Sequence, residues 1–209
     1  MTMRRIAFLF VCLFSTLAAT VPVRAEPSAS PTPTEVVERL HSGLLAAMKN
    51  GPKLGFEGRR ALLEPVVSTC FDLATMARVA TGAAWQKLSD GDRARIIATF
   101  TTFTVANYAS QFKTLDGEQF VTKAEADGGR GRRVVNTNLI SPGDDPVELD
   151  YQLRQDNGGQ WKIVDVYLDG SVSQLALRRN EFAASLAAGG VDNLVAQMEK
   201  TTANLAMSD

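Results

Sequence analysis

The chain has 209 residues, of which 45% are hydrophobic and 22% charged, and its formal net charge is −1. This length suffices for one domain with its own hydrophobic core. Lys and Arg are not in surplus, which argues against nucleic acid as the main partner because binding to phosphates depends on an excess of positive charge.

The first 25 residues have the parts of a secretory signal peptide. Arg4 and Arg5 precede an apolar run over residues 6–19, and Ala25 ends the predicted cleavage site. The run is shorter than a membrane span requires, although an uncleaved anchor is the alternative. Cleavage removes three arginines and no acid, so 19 Lys and Arg remain against 23 Asp and Glu, a formal charge of −4. We predict a signal peptide at residues 1–25.

A linker and a first helix follow. Residues 26–33 are rich in Pro and Ser and predict a flexible linker, after which residues 34–205 form one domain. Thr32 and Glu35 have the spacing of a capping box, so a helix is predicted to begin here. The Asn50-Gly51-Pro52 sequence is predicted to end it.

Three more helical segments precede the predicted sheet. Pro65 splits or kinks the first of them, over residues 62–67. Asp72 is placed to cap a short helix that ends at Gly82, and Ser89 begins a long helix. The long helix carries one hydrophobic stripe, flanked by Ile96 and Phe103 and formed by Ile97, Phe100, Thr104, Tyr108 and Phe112.

The hydrophobic period changes to two after Gly117, which predicts strands. Gly- and Asp-rich turns separate them, so the sheet is predicted to be antiparallel. The four predicted strands are Gln119–Ala126, Arg132–Ile140, Pro146–Gln155 and Gln160–Leu168. The third strand alternates apolar with polar residues, and its apolar side carries Val147, Leu149, Tyr151 and Leu153.

Two helices close the chain. The first is predicted over residues 175–188 and ends at Gly189-Gly190, and the second is capped by Asp192. The order of helices, meander and helices predicts an α+β domain in which helices cover one face of a curved sheet.

Few residues of the sequence are candidates for catalysis, metal binding or disulfide formation. His41 is the only histidine, which excludes a histidine pair for zinc, and it is predicted to be an ordinary surface or boundary residue. Cys70 is the only cysteine after cleavage, so no disulfide forms within the mature chain. Asp165 lies in an apolar strand and is interpreted as a hydrogen-bonded structural residue, with a general base as the alternative.

An ordered set of short motifs resembles the MlaC-like periplasmic phospholipid-binding proteins, also called toluene-tolerance auxiliary proteins. The resemblance covers residues 36–198. Its motifs are Phe71-Asp72, Met76-Ala77-Arg78, Gly82, Trp85, Tyr108-Ala109-Ser110, Trp161 to Val166, Gly170, Asn180-Glu181-Phe182, Gly189-Gly190, Asp192 and Leu194. The segments 170–173 and 177–179 are similar to the hopanoid-biosynthesis-associated HpnM subgroup.

The resemblance implies an NTF2-like cone: a four-stranded or larger curved antiparallel sheet wrapped by N- and C-terminal helices. It implies a periplasmic, monomeric, non-enzymatic carrier of a phospholipid or hopanoid-like lipid. Its implied partners are an inner-membrane ABC transporter with an MCE-domain subunit and an outer-membrane complex. No cofactor or metal is expected. We predict these residues to contact the lipid: Val67, Phe71, Met76, Val79, Trp85, Ile97, Phe100, Phe103, Tyr108, Phe112, Val135, Leu139, Leu149, Leu153, Ile163 and Tyr167.

Three alternatives remain open. An NTF2-like isomerase or dehydratase would use Asp165 with Tyr151 or Tyr167 as acid/base groups. A module that docks a partner would have a filled core. The arginines at positions 130, 132, 133, 178 and 179 either form a solvated face or contact a lipid head group or an acidic partner.

Overall fold

In a computed structural model, residues 30–208 form four α-helices, one short 3-10 helix and one five-stranded antiparallel sheet. The elements are α1 (Pro33–Cys70), α2 (Leu73–Thr81), the 3-10 helix (Gly82–Lys87), α3 (Asp90–Gln111), β1 (Gln119–Gly129), β2 (Arg132–Ile140), β3 (Val147–Gln155), β4 (Trp161–Leu168), β5 (Val172–Ser173) and α4 (Gln174–Met207). The predicted α+β class is confirmed. The predicted signal peptide and most of the predicted linker lie outside the described residues.

Side-chain caps confirm three predicted helix starts. At the start of α1, Thr32 Oγ1 accepts a hydrogen bond from the backbone N of Glu35 at 3.2 Å, and the Glu35 carboxylate accepts one from the backbone N of Thr32 at 2.7 Å. Asp72 and Ser89 each accept a bond from the backbone N–H three residues later, at 2.9 and 3.1 Å. Gly82 ends α2 as predicted, with φ 65°.

Helix α1 continues past its predicted end. The expected stop at residues 50–52 was wrong, because the helical run is interrupted at Gly55, which has φ 60° and ψ −176°. Glycine reaches this conformation at little steric cost, whereas the fixed φ of Pro52 is compatible with a helix. Pro65 does not split the helix either. It is exposed, so the carbonyl group that loses its N–H partner can bind water.

The sheet is a simple meander in the order β1-β2-β3-β4-β5. The four predicted strands are confirmed, three of them within one residue at each end. Strand β1 runs three residues further, to Gly129, through register irregularities at 122/124 and 127/129. Strand β5 has only two residues, too few to produce a period in the sequence.

The last helix breaks where two glycines were predicted to end it. Gly189 and Gly190 have non-helical backbone angles inside α4. The prediction that Asp192 caps the second part was wrong, because Gly190 is the last non-helical residue and Asp192 lies two positions beyond it. The exposed Asp192 carboxylate instead pairs with Arg95 Nη1 at 2.9 Å.

One hydrophobic core joins the helices to the face of the sheet that carries Leu153 and Ile163. Its fully buried side chains include Leu40 and Leu63 of α1, and Leu194 of α4. Within residues 30–208, no helix combines the length and apolar character needed to cross a membrane.

Candidate functional site

A cavity of about 210 Å³ lies between the sheet, α2, α3 and the start of α4. Most of its lining is aromatic or aliphatic. The apolar lining residues are Phe71, Met76, Phe100, Phe103, Tyr108, Phe112, Leu149, Tyr151, Val166, Leu168 and Leu175. The polar lining residues come from the helices and are Thr104, Asn107, Gln111, Gln174 and Arg178.

The period of the strands explains the apolar floor of the cavity. Leu149 and Tyr151 alternate with polar residues along β3, so both point to the same side. The antiparallel register places Leu149 opposite Leu168 and Tyr151 opposite Val166. Cross-strand neighbours share a face, and these four side chains therefore form one continuous apolar surface.

The helical wall of the cavity mixes apolar and polar groups. Residues 104, 107 and 111 of α3 are spaced so that they lie on one face of the helix, next to Phe100 and Phe103. Thr104 belongs to the predicted stripe of α3, whereas the sequence pattern does not predict Asn107 and Gln111 as lining residues. Hydrophobic periodicity gives polar residues no weight, so it could not find them.

The structure brings seven predicted contact residues to this cavity: Phe71, Met76, Phe100, Phe103, Tyr108, Phe112 and Leu149. Four others are buried in the hydrophobic core and do not line the cavity: Val67, Val135, Leu153 and Ile163. Three are half-buried and pack against that core: Trp85, Ile97 and Leu139. Val79 and Tyr167 line a separate depression, and Val79 is 38% exposed.

A polar pair lies beside the cavity floor. The expectation that His41 is a surface or boundary residue was wrong, since it is buried with its ring stacked on Phe120 at 4.0 Å between centroids. His41 Nε2 lies 3.1 Å from the hydroxyl oxygen of Tyr151. Burial lowers the pKa of His41 to about 4 and raises the pKa of Tyr151 well above its usual value. Both groups are therefore neutral at pH 7.

The carboxylate of Asp165 is held by hydrogen bonds within the protein. Its carboxylate accepts hydrogen bonds from the Ser173 hydroxyl at 2.6 Å and from the backbone N–H of Leu175 at 3.1 Å and Val166 at 2.8 Å. These bonds join β4 to β5 and to the start of α4. Asp165 pairs with Gln152 in the sheet, while Tyr151 pairs with Val166. Asp165 and Tyr151 therefore lie on opposite faces and do not form an acid/base pair, whereas Tyr167 lines the same depression as Asp165.

We expect Asp165→Asn to lower the free energy of unfolding by about 1–2 kcal/mol, because an amide cannot replace both accepting oxygens. Urea denaturation followed by circular dichroism measures this loss. Asp150→Asn is the matched control, since the Asp150 carboxylate makes no hydrogen bond within residues 30–208. Equal stability of the two variants would contradict the structural role of Asp165.

The two arginines near the start of α4 have different positions. Arg178 lines the cavity, with Cζ 4.8 Å from the centroid of the Phe103 ring and Nη1 2.7 Å from a carboxylate oxygen of Glu181. Arg179 instead lies against Gly82. Arg178 is therefore the arginine of this pair that borders the apolar cavity.

The open antiparallel sheet and the helices packed against it form an α+β protein with a mainly apolar cavity between its two layers. Residues 38–200 match the family model described as "MlaC protein", and the chain belongs to this family. A solved structure of a phospholipid-binding protein from Ralstonia solanacearum, in complex with a phospholipid, is similar with a TM-score of 0.70. Identity is 23%, and the match covers 82% of this chain and 97% of that one.

Proposed function

We propose that this protein is a periplasmic lipid carrier that holds the hydrocarbon part of a lipid in the cavity between the sheet and α3. The observation that carries the proposal is the apolar lining contributed jointly by α2, α3, β3, β4 and α4. Membership of the MlaC family supports it, as does the phospholipid bound by the structurally similar Ralstonia protein.

The energetics require such a lining. A two-chain lipid has on the order of 28 methylenes, and at about 0.8 kcal/mol each their exposure to water costs about 20 kcal/mol. A carrier must offset most of this cost with apolar contacts. The cavity of about 210 Å³ is smaller than typical ligand pockets, which span roughly 300–1,000 Å³. Loading of a complete lipid therefore requires the lining side chains to move apart.

We assign the head-group end of the lipid to the side of the cavity that carries Arg178 and Gln174. The guanidinium group is the only cation of the cavity lining among residues 30–208, and it can donate two hydrogen bonds to a phosphate. Phospholipid and hopanoid-like lipids both fit an apolar lining.

We infer that the carrier shuttles lipid between an inner-membrane ABC transporter with an MCE-domain subunit and an outer-membrane complex. The carrier acts as a monomer in the periplasm, after removal of residues 1–25. The hydrogen-bonded state of Asp165 supports a binding protein over an isomerase or dehydratase.

Filling the cavity should abolish lipid binding. We expect Thr104→Trp to reduce the lipid that co-purifies with the protein at least ten-fold, because the indole would occupy space beside Phe100 and Phe103. Native mass spectrometry and lipid extraction measure the amount bound. Thr102→Trp is the matched control, since Thr102 is exposed on the same helix and does not line the cavity.

Circular dichroism of both variants verifies that they are folded. Equal lipid content in Thr104→Trp and Thr102→Trp would place the ligand elsewhere. Absence of any lipid or other hydrophobic molecule from the wild-type protein would favour a docking module over a carrier.

A further inference from the structure

A second depression, of about 290 Å³, lies against the other face of β4 from the apolar cavity, and Leu175 borders both. The two are separated by β4, whose Val166 lines the cavity while Asp165 and Tyr167 line the depression. Three arginines from three different elements line it: Arg78 of α2, Arg132 of β2 and Arg154 of β3. We call this depression the arginine pocket.

The register of the sheet brings two of these arginines together. Arg132 and Arg154 are direct cross-strand partners. Like charges placed opposite each other in a sheet destabilise it, and this pair is therefore not explained by the stability of the strands. Arg78 lies near them because α2 packs against β4. Thr75 and Val79 of the same helix also line the arginine pocket.

The guanidinium groups have unused hydrogen-bond donors. Arg154 Nη2 donates to Asp72 at 3.2 Å and to Thr75 Oγ1 at 3.1 Å. The Nε of Arg154 is buried and has no partner among residues 30–208. The side chains of Arg78 and Arg132 form no hydrogen bond or ion pair within the same described residues. A buried donor without an acceptor is costly, so the unpaired Nε of Arg154 favours an anionic ligand. Arg78 is exposed and Arg132 is half-buried, so their donors can be reached from solution.

Nearby acids do not neutralise this charge. Asp72 is paired with Arg154 and also caps α2. The oxygens of Asp165 are occupied by the Ser173 hydroxyl and backbone N–H groups. Two carboxylates therefore face three guanidinium groups, and both carboxylates already accept several hydrogen bonds. The arginine pocket is left with a net positive charge and free donors.

We propose that the arginine pocket binds a phosphate group, held by the guanidinium groups of Arg78, Arg132 and Arg154. Planar guanidinium groups match phosphate oxygens with paired hydrogen bonds, and a group with three acceptor oxygens can engage all three arginines. The phosphate is either free in solution or part of the head group of an anionic lipid in a membrane surface. This site adjoins the lipid cavity at Leu175, but none of its three arginines lines that cavity, and the proposal does not depend on the carrier function.

A titration with inorganic phosphate tests the site directly. Two-dimensional amide NMR spectra of the folded chain are recorded at pH 7.5 and constant ionic strength, with chloride replaced by phosphate. We expect saturable shifts at Val79 and Gln152, which line the arginine pocket. The variant Arg78→Gln/Arg132→Gln should bind phosphate at least ten-fold more weakly. Arg154 is left unchanged because its ion pair with Asp72 holds α2 to the sheet.

The control variant is Lys49→Gln/Lys53→Gln, which removes the same charge from two exposed lysines of α1. Its affinity for phosphate should stay within two-fold of the wild type. A second arm compares flotation with phosphatidylcholine vesicles that contain or lack phosphatidylglycerol.

The two arms distinguish the sources of the phosphate. Loss of binding in the arginine variant with phosphate alone assigns the site to free phosphate, and a parallel loss of binding to phosphatidylglycerol vesicles assigns it also to lipid head groups. If the arginine and lysine variants behave alike in both arms, the proposal is overturned. Because neither arm measures lipid held in the cavity, this outcome leaves the carrier function untouched.

Discussion

Gly51→Ala is expected to lower the free energy of unfolding by about 3 kcal/mol or more, a large effect for one methyl group. Gly51 is buried in α1 where the segment after α3 crosses it. An added Cβ would overlap the carbonyl oxygen of Lys113 and lie 3.3 Å from Cδ of Arg59. Arg59 Nε also donates to the carbonyl oxygen of Ala109 at 2.8 Å, so the end of α3 cannot easily move away. Urea denaturation measures the loss.

The control for this substitution is Gly91→Ala. Gly91 lies in the first turn of α3, and the nearest atom to an added Cβ is Ser89 Oγ at 3.8 Å. Alanine is favoured over glycine in a helix by about 1 kcal/mol, so this variant should be slightly more stable than the wild type. A loss below about 1 kcal/mol for Gly51→Ala would contradict the close crossing at this position.

Acid should destabilise the protein through His41. Its pKa is about 4 in the folded protein, below the ordinary value of 6.5, because the ring is buried. The unfolded chain therefore takes up a proton between pH 6.5 and 4 that the folded chain excludes. The contribution of neutral His41 to the free energy of unfolding is complete above pH 6.5. It falls as the pH decreases, by about 2 kcal/mol at pH 5 and about 3 kcal/mol at pH 4.

His41→Gln isolates this contribution, because glutamine does not titrate. The variant loses the ring stacking on Phe120 and is less stable at pH 7.5. Its disadvantage relative to the wild type should shrink by about 2 kcal/mol between pH 7.5 and pH 5, as measured by urea denaturation at each pH. A difference that stays constant over this range would show that His41 can be protonated in the folded state.

Local signals in the sequence predicted most helix starts and strands. The capping box of Thr32 and Glu35 is complete within four residues, and the caps at Asp72 and Ser89 each reach only three residues ahead. The apolar face of β3 was also predicted from its alternation, and Leu149 and Tyr151 lie on it as expected. Interactions of such short range depend little on the rest of the fold.

Glycine and proline near the middle of α1 could not be interpreted from the sequence alone. Gly51 does not end the helix. Because it has no side chain, the segment after α3 can cross α1 closely at this position. Gly55 interrupts the helix instead. A glycine needed for a turn and one needed for close packing have the same local pattern, and only the contact with Lys113 distinguishes them.

The candidate site was predicted only in part, because hydrophobic periodicity identifies buried residues without showing where the interior is empty. Phe100 and Leu153 both belong to apolar faces, but Phe100 borders the cavity and Leu153 lies in the solid core. Arg78, Arg132 and Arg154 are far apart in the sequence, and the strand register and the packing of α2 bring them together.

The sequence by itself determined the class of the fold, most of the helix and strand boundaries and the resemblance to the MlaC family, since these depend on local hydrogen bonds, on periodicity and on ordered motifs. The tertiary structure alone decided the position of the cavity, the burial of His41 beside Tyr151 and the grouping of the arginines. These features arise from contacts between distant segments, whose packing no local pattern of residues specifies.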